Sequence, residues 1–106
     1  MKKHTQIYFN SLGYDTTDFI PSEISGGRAV DIHHIDCKGM GGDPTGSKDR
    51  IEELQALTRE EHIKYGDKTQ YMGFLYKKHK DFLTERGVPF DKEYINNKIL
   101  RYEAIK

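Results

Sequence analysis

Three of the chain's five histidines fall into an order that chemistry can use. His33 and His34 are adjacent in Asp31-Ile32-His33-His34-Ile35, and His62 closes the stretch Glu53-Leu54-Gln55-Ala56-Leu57-Thr58-Arg59-Glu60-Glu61-His62, with a glycine-rich segment between. Neutral imidazole is a ligand for divalent transition ions, and its unperturbed pKa of ~6.5 also lets it take a proton from water near neutral pH. A doublet can divide these tasks, one histidine binding a metal while the other stays unmetallated as a base, and a histidine from a second element adds another ligand. On an extended strand adjacent side chains point to opposite faces, so His33 and His34 reach one site only where the strand ends or bends; the glycine-rich loop permits that. Cys37 offers a rival arrangement, a closed structural zinc site on His33, Cys37 and His62. Glu53 is open to three roles: solvent-facing on a strand edge, acceptor for a histidine, or additional carboxylate near a metal. His4 and His79 read as surface residues.

The elements that must position these residues are short. Ile7, Tyr8 and Leu12 have helical spacing before Gly13, which predicts a helix over 4–12. Ser22-Glu23-Ile24-Ser25-Gly26-Gly27 reads as a tight turn feeding a β-branched strand over 28–32, and residues 36–48 read as a loop. Leu54–Leu57 reads as a second strand. Thr58-Arg59-Glu60-Glu61 fits a capping box, so a helix starts there, carries His62 and stops at Gly66. Tyr71, Phe74, Leu75, Lys78, Phe82 and Leu83 form the inner stripe of a helix closing at Gly87, with Lys77 and Lys80 opposite. Asp91 caps a last helix whose inner face is Tyr94, Ile95, Ile99 and Tyr102.

The whole chain restricts the function classes. Its 106 residues are one domain, 1–106, and with 35% hydrophobic residues, 32% charged and no Trp the core is thin and leans on 7 Tyr and 5 Phe. Seventeen basic against seventeen acidic residues argue against a general polyanion coat. Residues 1–65 hold 8 Lys+Arg and 11 Asp+Glu, net −3, and 66–106 hold 9 and 6, net +3, so the C-terminal helices are the better candidate for an anionic partner. One cysteine excludes an internal disulfide and points to a reducing cytoplasm. Secretion and membrane insertion are not expected, because no apolar signal core or spanning stretch is present.

The ordered combination of His doublet, glycine-rich loop and a helix histidine nine positions after Glu53 resembles the His-Asn-His (HNH) endonucleases. The resemblance covers about 21–67, leaving 68–106 as a helical C-terminal extension. It implies an α+β fold: a small ββα-metal, or His-Me finger, hairpin-plus-helix motif flanked by an N-terminal helix and two C-terminal helices. It also implies that His33 and His62 are metal ligands and that His34 is the general base. The family's middle Asn falls at Glu53, which stands with His34 as the implied catalytic pair. The cysteine pairs that hold a structural zinc in many members are replaced by Ser22, Ser25, Thr58 and Glu61, so no structural zinc is expected and hydrogen bonds take over that task. Where some relatives carry one more histidine four residues after the helix ligand, this chain has Gly66, leaving Asp67 or water for that place.

The activity implied is hydrolysis of DNA phosphodiesters with one divalent ion (Mg, Mn, Ni, Co or Zn), leaving 5′-phosphate and 3′-hydroxyl ends. Arg28, Lys38, Lys48, Arg50, Arg59, Lys77 and Lys80 are candidates for contacts with the backbone of double-stranded DNA at low sequence specificity. The alternative is a degenerate HNH-fold domain acting as a nucleic-acid- or protein-binding part of a larger assembly.

Overall fold

The computed structural model describes residues 1–36 and 48–104. Among them four α-helices and a two-stranded antiparallel sheet form an α+β domain, in the order α1 (Lys3–Leu12), β1 (Asp31–His34), β2 (Leu54–Leu57), α2 (Arg59–Tyr65), α3 (Thr69–Arg86) and α4 (Lys92–Glu103). The helix boundaries lie where local chemistry puts them. Gly13 ends α1 in the left-handed conformation at φ 74°, and Gly87 ends α3 likewise at φ 68°; glycine adopts this region without steric cost. Asp91 accepts from the Tyr94 amide to cap α4. Thr58 and Glu61 form the reciprocal capping box of α2.

The first strand differs from its sequence expectation. Residues 22–27 do turn, closed by Ser22 N–H donating to the Gly27 carbonyl at 2.7 Å, but Arg28 makes only an isolated bridge to Pro21. The regular strand is Asp31–His34, paired Asp31 with Leu57, Ile32 with Ala56, His33 with Gln55 and His34 with Leu54. Both histidines thus lie inside the paired strand. The buried partner strand β2 decides the register, which outweighs the β propensity of Val30.

Alternation across β1 sorts its residues by face. Ile32, Leu54 and Ala56 pack on the buried Tyr8 of α1. On the opposite face Gln55 Nε2 donates to the Leu75 carbonyl of α3 at 3.0 Å. A second apolar cluster joins Ile35, Met72, Leu75, Tyr76, Leu83 and Ile95, so α3 and α4 cover that side. The buried stripe of α3 is Met72, Leu75, Tyr76, His79 and Leu83, one residue round from the expected stripe; Tyr71, Phe74, Lys78 and Phe82 are half-buried at its edges. The reason is His79. It is fully buried, not a surface residue, with Nδ1 2.6 Å from Glu23 Oε1 and Nε2 2.6 Å from the Ile51 carbonyl. No described helix is long and apolar enough to cross a membrane.

Candidate functional site

His33 and Asp31, two apart on β1, share the face turned to α2. There the rings of His33 and His62 lie 4.6 Å apart between centroids, and His62 Nδ1 is 2.8 Å from Asp31 Oδ2. A carboxylate can only accept, so His62 Nδ1 carries the proton and Nε2 is left with a lone pair. His33 is 5% exposed, and its Nε2 is buried with no hydrogen-bond partner among the described residues. Gln55 Oε1, on the residue paired with His33, is the other such atom. Burial, assisted by the neighbouring His62, pushes His33 down to about 4 against the opposing charges of Asp67 and Asp31, so the imidazole is neutral at physiological pH. A buried, neutral, unpartnered nitrogen beside a second oriented imidazole is a donor set that suits a divalent transition ion.

Gly66 makes room for this pair. A Cβ at residue 66 would stand 2.5 Å from both the His62 ring and the His62 carbonyl, and 3.4 Å from the His33 ring. Position 66 therefore adjoins both imidazoles. Asp67 follows with φ 59°, a left-handed conformation that Asp tolerates better than most residues.

His34 faces the other way, with Ile32, toward α1. Its Nε2 lies 2.8 Å from Asp49 Oδ1, and its ring centroid is 4.5 Å from that of His4. The Asp49 carboxylate takes the Nε2 proton as a hydrogen bond, which leaves His34 Nδ1 as the basic nitrogen. His4 is half-buried rather than a free surface residue, and burial, with His34 beside it, holds its imidazole below the ordinary value despite Asp49. The doublet therefore does not converge on one point, because both residues belong to a regular strand.

Glu53 is completely buried, which overturns the solvent-facing possibility. Its carboxylate accepts from Tyr76 Oη at 2.8 and 2.9 Å, from Tyr94 Oη at 2.5 Å and from the Asp36 amide at 3.1 Å, with Lys98 Nζ 3.6 Å away. These partners tie the end of β1 to α3 and α4. They are contacts of a positioning residue. At the four positions expected to replace zinc cysteines, Ser22 Oγ donates to Glu61 Oε1 at 2.5 Å and accepts from the Ile24 and Ser25 amides, while Thr58 N–H donates to the same Glu61 oxygen at 2.9 Å.

The expected backbone-contacting cations divide. Arg28 and Arg59 are exposed, Arg28 standing over the Phe19 ring at 5.5 Å. Arg50 is bound to Glu52 at 2.9 Å and stacked 4.0 Å over Tyr94, and Lys48 donates to the Asp36 carbonyl at 2.8 Å. Lys77 and Lys80 reach α4, pairing with Glu103 at 3.0 Å and donating to Asn96 at 2.8 Å, so both lie along the α3–α4 seam. Lys38 and Cys37 lie outside the described residues, and the rival zinc site with them. Asp31, Asp49 and His4 are site residues that the sequence reading assigned no role. For Asp31 the two-residue offset from His33 on a strand was an available signal; for Asp49 and His4, brought in by chain closure, none was.

No protein-family model, curated protein or solved structure matches the chain.

Proposed function

We propose that the chain is a divalent-metal-dependent endonuclease hydrolysing DNA phosphodiester bonds in a reducing cytoplasm. The observation that carries this reading is the buried, unpartnered His33 Nε2 beside His62, whose Nδ1 is already held by Asp31. The succession of antiparallel strands β1 and β2 with helix α2, carrying the histidines on β1 and α2, is the order that a ββα-metal motif requires.

His33 and His62 would hold the ion through their Nε2 atoms, and its charge would offset the negative charge that develops on the scissile phosphate and departing 3′ oxygen. His34 Nδ1 takes the proton from the attacking water. Asp49 keeps the ring in the tautomer that leaves Nδ1 free, as an orienting carboxylate does in other histidine bases. An in-line displacement places the attacking and departing oxygens on opposite sides of phosphorus, so the base and the ligand pair need not meet at one point. Glu53 fixes where β1 ends. Arg28 and Arg59, both exposed, would contact the DNA backbone.

The test is nicking of supercoiled plasmid with Mg²⁺, Mn²⁺ or Co²⁺. His34→Ala is expected to lower the rate ~10²–10⁴-fold with metal affinity at His33 and His62 retained, since a base is not a ligand. Equal nicking by the variant overturns the assignment. A wild type that binds plasmid but nicks it under none of these ions favours the alternative, a binding domain in a larger assembly.

A further inference from the structure

His4, His34 and Asp49 come from three separated parts of the chain: the first turn of α1, the end of β1, and the residue before Arg50. One ligand atom from each lies within 4.8 Å of the other two, and all three residues are half-buried. Among the described residues this is a group of three histidine and carboxylate ligands close enough together to hold an ion. Two imidazoles and one carboxylate form a mixed nitrogen and oxygen donor set, the kind that favours borderline first-row ions over Mg²⁺ or Ca²⁺. Bonds of ~2.0–2.2 Å to a tetrahedral ion separate ligand atoms by about 3.4 Å, so closure needs side-chain shifts of no more than about 1.4 Å. His34 Nε2 and Asp49 Oδ1 already stand at 2.8 Å, bridged by a proton that a cation can replace.

We infer that His4, His34 and Asp49 form a second metal site, for Zn²⁺ or a similar borderline divalent ion, separate from the His33–His62 pair. Three protein ligands leave a fourth position to water, which makes the ion exchangeable. Binding through His34 Nε2 requires the other tautomer: the proton moves from Nε2 to Nδ1, and Nδ1 loses the lone pair that would accept a proton from water. The occupied site therefore removes the base, and zinc above the amount needed at His33 and His62 shuts cleavage off. This consequence rests on the nuclease reading; the binding does not.

The two are separated by titrating zinc calorimetrically into a Cys37→Ser/His62→Ala protein, in which neither the thiol nor the other pair competes. One equivalent is expected to bind at micromolar zinc, without displacement by millimolar Mg²⁺. Adding His4→Ala, or in a second variant Asp49→Asn, is expected to weaken binding at least tenfold while the far-ultraviolet circular dichroism stays unchanged. Absence of zinc binding in the Cys37→Ser/His62→Ala protein, or an affinity unaffected by either added change, overturns the site. In the plasmid assay with Mn²⁺, excess zinc is expected to inhibit the wild type at least tenfold more strongly than His4→Ala. Equal inhibition overturns the regulatory consequence. A zinc affinity that depends on His4 in a protein that nicks no plasmid would establish the site and remove the nuclease reading.

Discussion

Two of the three histidines are oriented by carboxylates from different places: His62 by Asp31 and His34 by Asp49. The Asp31 contact fixes the His62 tautomer and aims Nε2 away from the carboxylate, which is how a residue that never touches an ion governs its affinity. Asp31 is half-exposed, so its removal leaves the core intact. Asp31→Ala is expected to weaken Co²⁺ or Mn²⁺ binding at the pair ~10–100-fold, measured calorimetrically in a His4→Ala background that lacks the second site. An unchanged affinity would show that His62 is oriented by packing alone. His33 needs no such partner, because burial keeps it neutral with its lone pair available.

At the scale of elements, signals confined to a few neighbouring residues were legible in the sequence, and those set by partners distant along the chain were not. The caps at Thr58, Gly13, Gly87 and Asp91 are local chemistry, and each stands where the sequence reading put it. The start of β1 and the buried face of α3 depend on Leu54–Leu57 and on Glu23, which no local pattern around Val30 or His79 reveals. Hence the spacing of His33, His34 and His62 was readable while the direction each ring points was not. The turn at 22–27 and the start of α2 are joined through Glu61. Burial alone would raise that carboxyl, but hydrogen bonds from Ser22, Ser25 and the Thr58 amide outweigh it and hold Glu61 below the ordinary carboxylate range. The sign follows: a depressed folded-state value contributes stability that is complete above the unfolded value and is lost as pH falls through the folded one. Thr58→Ala is expected to cost ~0.5–2 kcal/mol near neutral pH, and Glu61→Gln to flatten the acid limb of the stability curve, both read by urea denaturation. EDTA should leave the wild-type protein folded at room temperature. A chelator-induced loss of fold would show that these hydrogen bonds do not take the place of a structural zinc.

Over the whole molecule, two buried polar clusters join the layers that a thin apolar core leaves weakly connected. Glu53 binds β1 to α3 and α4 through Tyr76, Tyr94, Lys98 and the Asp36 amide. Its replacement by the shorter, neutral Asn of the resembled family cannot span these donors. Glu53→Asn is therefore expected to lose ~3–5 kcal/mol, the scale of breaking a buried charged pair, rather than to restore activity. A variant of wild-type stability and higher nicking rate would overturn the structural role. In the second cluster His79 of α3 meets Glu23 of the 22–27 turn, which also accepts from Tyr8 of α1 at 2.5 Å. Burial by itself would lower the His79 value, but the Glu23 charge and hydrogen bond, the Ile51 carbonyl and the charge of Glu53 together raise it. A raised folded-state value contributes stability that is complete below the unfolded value of ~6.5 and is lost as pH rises through the folded one. Wild-type stability in urea should therefore fall, relative to His79→Gln, as pH is taken from about 6 to about 9. At pH 6 His79→Leu should lose ~3–5 kcal/mol, since Glu23 is left buried without its cation. Parallel pH curves for wild type and His79→Gln would mean that His79 is neutral in the fold, and that α1, the turn and α3 are joined by hydrogen bonds without an ion pair.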